Sequence, residues 1–179
     1  MGWTLTISIA LYTLGLLHSV FGFCRKRRVF VKIALGMVAT GFVFHTVALI
    51  LLGIARQHFP ITNLPESLCL FAWFLSLTFL LAHLRYDIKA LGAFTLPLVS
   101  LLTITATFIY DENQAIPPDL KNGWIYFHSS AAFLAYAAFF LTFVSGILYL
   151  VQEKELKNKN FRFLYFRLPS LQTCDELMR

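Results

Sequence analysis

Apolar residues gather in five long runs, at about 3–23, 31–54, 66–84, 89–109 and 124–151, with short polar breaks between them. Each run is long enough to cross the roughly 30 Å hydrocarbon core of a bilayer. A lipid-facing backbone must satisfy its own hydrogen bonds, so each run is predicted as a helix. The pattern therefore predicts an all-α, polytopic membrane protein with five transmembrane helices. The last run is longer than a crossing requires, which predicts either tilt or projection beyond the bilayer. The first run has no basic residues before it and is long for a cleavable signal peptide, so it is read as a retained helix.

Composition agrees with this reading. The 179 residues are 58% hydrophobic and 13% charged, against about 25% charged in soluble domains. No room remains for a large soluble domain. The net charge of +6 raises the question of nucleic acid, and the placement of the charges answers it. Arg25, Lys26, Arg27, Arg28 and Lys32 follow the first run, and Arg85 and Lys89 follow the third. Lys154, Lys157, Lys159, Arg162, Arg167 and Arg179 follow the fifth. Alternate junctions thus hold thirteen basic residues, while Arg56 and Lys121 alone occupy the other two. This is the positive-inside signature, with the N-terminus outside and the C-terminus cytoplasmic. Nucleic-acid binding is set aside.

The chain divides into a transmembrane domain over 1–157 and a basic-aromatic cytoplasmic juxtamembrane segment over 158–179. In that segment Phe161, Phe163, Tyr165 and Phe166 alternate with Lys159, Arg162 and Arg167, a mixture suited to an anionic headgroup layer. Pro169 and Ser170 predict a short surface helix beyond it. Cys24, Cys69 and Cys174 are far apart and form no metal or redox motif. No hydrolytic or phosphate-binding motif is present.

The break "HFPITNLPESLCLFAW", residues 58–73, is unusually rich in polar and restricting residues. Asn63, Pro65 and Glu66 have the spacing of a capping box, with Asn63 as N-cap and Glu66 three residues on. By spacing, the break starts the third helix. A contact to a cofactor or partner is the competing account of the same residues.

The stretch also resembles the "GHFPLSNLYESLxFLxW" segment of CcsA/ResC-type (System II) cytochrome c biogenesis proteins. Three further segments resemble that family in order: "RYDIKALGAFTLPL" (85–98), "WIYFHSSAAFLAYAAFFLTFVSGILYL" (124–150) and "RLPSLQTCDEL" (167–177). Pro65 departs from the family's usual Tyr. The resemblance covers about 56–179 and implies an N-terminal half, as a truncated product, a split subunit or a short relative. The family's tryptophan-rich motif has no counterpart in this sequence.

The resemblance implies a component of cytochrome c maturation in the bacterial inner membrane. Such a component binds or presents haem b at the outer face for attachment to apocytochrome c, beside a ResB-type partner. It makes His128 an axial ligand of the haem iron. Trp124 lies four residues earlier, on the same helical face, where its indole can meet a porphyrin edge. His58, in the matching "HFP", is a candidate lining residue of the haem site. His45 lies deep in the second run, and an intramembrane ionisable residue is a functional candidate by default. Each histidine also has a plain account as a hydrogen-bonded interfacial or packing residue. His18 and His83, near the cytoplasmic ends of the first and third helices, could form an inner-side pair, but snorkelling interfacial residues are the simpler account. Ser129, Ser130, Ala131, Ala132, Ala135, Ala137 and Ala138 make the fifth helix small-sided, for which close helix packing is the ordinary reason. Two other function classes stay open: a HemX-like regulator of haem biosynthesis, and a non-catalytic structural membrane subunit.

Overall fold

The computed structural model describes residues 2–25, 27–88, 90–109, 122–158 and 168–178. Six helices follow one another: α1 (Trp3–Arg25), α2 (Arg28–Arg56), α3 (Leu64–Tyr86), α4 (Leu91–Phe108), α5 (Gly123–Lys157) and α6 (Leu171–Met178). No strand occurs among the described residues. The first five helices are long and apolar enough to cross a membrane, and the chain is an integral membrane protein. Contacts between the helices show successive ones running antiparallel: Gly15 faces Val38 and Gly22 faces Val31, Gly92 faces Phe79, and Tyr126 meets Phe59. The start of α1, the end of α2, the starts of α3 and α5 and the end of α4 therefore share one end of the bundle, called here the His58 end.

Helix–helix contact in lipid gains little from apolar burial and depends on close approach. The buried face of α1 shows this. It consists of Leu5, Ser8, Tyr12, Gly15, Ser19 and Gly22, mostly small or hydroxylated residues. A Cβ at Gly15 would come 2.8 Å from Val38 Cγ2, and one at Gly22 would come 2.8 Å from Val31 Cγ2. Gly41 on α2 returns the fit by receiving the Tyr12 ring. The main core lies between α3, α4 and α5, with Leu75, Phe79, Leu91, Leu96, Val99, Leu141 and Leu148 buried.

The third helix starts as its residues predict. Asn63 Oδ1 accepts the Glu66 backbone N–H at 2.9 Å, and Pro65 occupies the first turn. The reciprocal arm is shifted by one residue. Glu66 Oε2 accepts from the Thr62 N–H at 3.0 Å and the Thr62 hydroxyl at 2.9 Å, so the box closes just outside the N-cap.

Helix α5 runs six residues past its apolar run, because Gln152–Lys157 favour helix and Lys157 pairs with Glu153 at 2.8 Å. Its small residues are only partly explained by packing. Ala137 is buried, but Ala131, Ala135 and Ala138 remain exposed.

The short helix beyond Pro169 exists, with the Ser170 hydroxyl accepting the Thr173 N–H at 3.2 Å. It folds back onto the bundle. The Ser145 hydroxyl donates to the Cys174 carbonyl at 3.1 Å, and the Tyr86 hydroxyl donates to the Glu176 carbonyl at 3.2 Å. The aromatic-basic stretch 159–167 and the junction 110–121 before α5 lie outside the described residues.

Docking of α6 buries Cys174 completely. Burial pushes its thiol above the ordinary range, partly offset by a hydrogen bond with Ser145. The thiolate reacts, not the thiol, so maleimide labelling of Cys174 is expected to stay slow at pH 8 and rise only at higher pH. The exposed Cys24 labels first. Equal rates at the two sites, read by mass spectrometry, would mean that α6 does not stay docked.

Candidate functional site at the His58 end

Glu66 organises this end. Its side chain is 2% exposed, and its Oε1 lies 3.7 Å from Arg56 Nη1 and 3.8 Å from His58 Nε2. The Arg56 side chain is one-third exposed. The His58 side chain is 2% exposed, and its Nδ1 lies 2.9 Å from the Phe59 carbonyl. A carbonyl only accepts, so Nδ1 carries a proton and Nε2 is the nitrogen turned to the carboxylate. Nδ1 is hydrogen-bonded, while Nε2 stands at ion-pair distance from Glu66, beyond hydrogen-bond reach. The 58–73 break therefore does two things: it starts α3, and it ties α2, the loop and α3 together through one carboxylate.

Beside this triad runs an apolar groove of about 730 Å³ between α2 and α3, closed at its end by His58, Phe59 and Tyr126 of α5. The Phe59 and Tyr126 rings lie 5.3 Å apart, which joins the loop to the first turns of α5. Inside the groove, Trp73 Nε1 donates to Thr46 Oγ1 at 2.8 Å. The Thr46 hydroxyl in turn donates to the Phe42 carbonyl at 2.8 Å.

His128 is elsewhere. Asn122 caps α5 by accepting the Trp124 N–H at 3.0 Å, which places Trp124 and His128 on the first two turns. Tyr126 faces the groove; two residues on, His128 lies on a different side of the helix and is exposed. Trp124 and Phe127 are 70% and 66% exposed, their rings 5.8 Å apart. His128 makes no hydrogen bond or ion pair among the described residues, so neither ring nitrogen is engaged by them.

His45 is fully buried. Its Nδ1 lies 3.3 Å from the Tyr12 hydroxyl, while Nε2 has no partner among the described residues. It lines a separate apolar cavity of about 250 Å³ between α1, α2 and α3, which Cys69 also lines. An intramembrane hydrogen bond contributes about 0.6 kcal/mol on average. Tyr12→Phe is expected to cost about that much in a detergent unfolding titration; a loss above about 2 kcal/mol would give the pair a larger part in the fold. His18 and His83 do not pair. His18 meets the Leu14 carbonyl at 2.9 Å, and His83 Nε2 lies 3.8 Å from Asp87 Oδ1.

The sequence-predicted residues thus fall in three places: His58 in the Glu66 triad, Trp124 and His128 on the open side of α5, and His45 inside the bundle. No group of three or more His, Cys, Asp or Glu side chains suited to a metal ion occurs among the described residues. Arg56, Phe59, Trp73 and Tyr126 complete the site and were not signalled by spacing.

Comparison with known proteins identifies the lineage of this arrangement. Protein HemX of Brevibacillus brevis is 25% identical over 175 residues, covering 97% of this chain and 64% of that protein. Cytochrome c biogenesis protein CcsA of Prochlorococcus marinus is 34% identical over 149 residues, covering 78% of this chain and 47% of that one. CcsA of Guillardia theta is 31% identical over 194 residues, covering 97% and 62%. The chain thus spans between 47% and 64% of the length of these relatives. No solved structure matches it significantly. Residues 61–179, which hold the Glu66 carboxylate, the groove wall on α3 and the open side of α5, match the cytochrome c assembly protein family, and the chain belongs to that family.

Proposed function

We propose that this chain serves cytochrome c biogenesis by holding haem b against the open side of α5, with His128 as an axial ligand of the iron. The observation that carries this reading is the exposed imidazole of His128, unengaged among the described residues, beside the exposed Trp124–Phe127 ring pair. A neutral imidazole is a haem ligand, and flat aromatic faces suit a porphyrin. The residues present fit the group. When bound, haem supplies the redox and vinyl chemistry of attachment. The chain's own part is to ligate, to orient the ring plane through Trp124, and to keep His128 at a fixed height on a rigid helix. His58 supports the site from behind, through Phe59 and Tyr126, and His45 steadies the α1–α2 pair. In this reading the His58 end is extracytoplasmic in a bacterial inner membrane, and apocytochrome c and a ResB-type protein are the partners.

Expression with haem supplied, purification in detergent and visible spectroscopy test the reading. Wild type is expected to show a Soret band that His128→Ala loses and Trp124→Ala weakens. A wild type without the band, or a band unchanged in His128→Ala, would overturn it.

A second reading rests on the match to HemX, which covers 97% of this chain, as the match to CcsA of Guillardia theta also does. In that case the chain regulates haem biosynthesis. A deletion strain with normal c-type cytochromes and altered haem precursors would favour it over the first.

A further inference from the structure

The groove between α2 and α3 is a different kind of site from the open side of α5. It runs alongside Thr46–Gly53 of α2 and Leu70–Leu77 of α3, about 10 Å along each helix axis. Ile50, on its wall, is 56% exposed, so the groove opens sideways toward lipid. Most of its polar groups have partners already: Thr46 with Trp73 and Phe42, and His58 Nδ1 with Phe59, while His58 Nε2 faces Glu66 Oε1 at 3.8 Å. An occupant is offered mainly hydrocarbon and aromatic faces.

One charge stands at the end of this groove. Arg56 lies three residues beyond the wall residue Gly53, about 4.5 Å further along α2. It is the one Lys or Arg at this end among the described residues. Its Nη1 approaches Glu66 Oε1 at 3.7 Å, too far for a hydrogen bond, so its donors can serve a second anion. An apolar channel within the span, with a guanidinium one turn beyond its mouth, has the layout of an acyl chain beneath a phosphate.

We propose that the α2–α3 groove binds one phospholipid of the surrounding leaflet, an acyl chain along Leu49, Trp73 and Leu77 and the phosphate on Arg56. The lipid fills the space that α2 and α3 leave between them. It thereby supports the loop carrying His58 and Phe59, and through Tyr126 the first turns of α5.

Native mass spectrometry of the full chain in detergent tests this, with palmitoyl-oleoyl phosphatidylglycerol as probe and the diacylglycerol of the same chains as comparator. Wild type is expected to retain one phosphatidylglycerol and to hold the diacylglycerol more weakly. Arg56→Ala is expected to bind the phospholipid about fivefold more weakly, the effect of one cation at a membrane surface, and to lose the preference. Leu77→Trp fills the inner end and Ile50→Trp the side, and each is expected to abolish retention. Ile50 is exposed, so its variant folds even where the other does not. Retention equal to wild type in Ile50→Trp, no lipid on wild type, or equal binding of diacylglycerol and phospholipid would overturn the proposal. The site does not depend on the haem reading, because His128→Ala is expected to leave lipid retention unchanged.

Discussion

Glu66→Ala is expected to destabilise the protein by about 2–5 kcal/mol, chiefly the cost of two donors left without a buried acceptor. The carboxylate is almost fully enclosed and receives both the amide and the hydroxyl of Thr62. Alanine leaves those donors without acceptors, each a desolvation cost of about 1–3 kcal/mol. It also leaves Arg56 and His58 facing each other across an empty space. Glu66→Gln separates the two contributions. Its amide oxygen can still accept from Thr62 while the charge is gone, so it is expected to lose less than half as much. Unfolding titrations in mixed micelles measure both variants. An alanine variant within about 1 kcal/mol of wild type would show that the loop is held by something other than this carboxylate.

A comparable loss is expected from Gly92→Val, for a steric reason. A Cβ at Gly92 would stand 2.5 Å from the Ser19 hydroxyl oxygen and 3.2 Å from Phe79 Cζ. Both neighbours are buried, so neither has an easy way out. Overpacking a tight core costs about 1–3 kcal/mol, occasionally more, and valine carries two carbons beyond the first. The expected product is a chain that separates α4 from α1 and runs as a broadened or aggregated species on size exclusion. Gly36→Val is the control, since nothing lies within 4 Å of a Cβ there, and it should behave as wild type. Similar profiles for the two valine variants would show that α4 does not pack this closely on α1 and α3.

Some of this was legible in the sequence, for physical reasons. Hydrocarbon thickness and backbone hydrogen bonding leave long apolar runs one option, so the five spanning helices could be read from hydropathy alone. Asn63 and Glu66 announced a helix start because capping is local. The apolar run at 124–151 stops short of the end of α5 at Lys157, since hydropathy records where lipid stops rather than where helix stops. Contacts made by distant segments were not legible. Tyr12 meets His45 from another helix, Arg56 and His58 turn back onto Glu66, and Tyr126 meets Phe59 across a long stretch of chain. The i, i+4 rule put Trp124 and His128 on one face correctly. It said nothing of whether that face would look into the bundle or away from it, because hydropathy gives no sign of rotation about a helix whose surroundings are apolar on every side.

The length of α5 gives the molecule a ruler. Its 35 residues span about 52 Å, some 20 Å more than a bilayer's oily interior. If Trp124 and Phe127 rest at one headgroup layer, Ser145 lies roughly 26 Å below His128, close to the opposite boundary, where α6 is fastened. The surplus turns then emerge as a water-borne spar on that side. A bilayer made thicker or thinner must move one end of this rod relative to its headgroups, so the depth of His128 would follow membrane thickness.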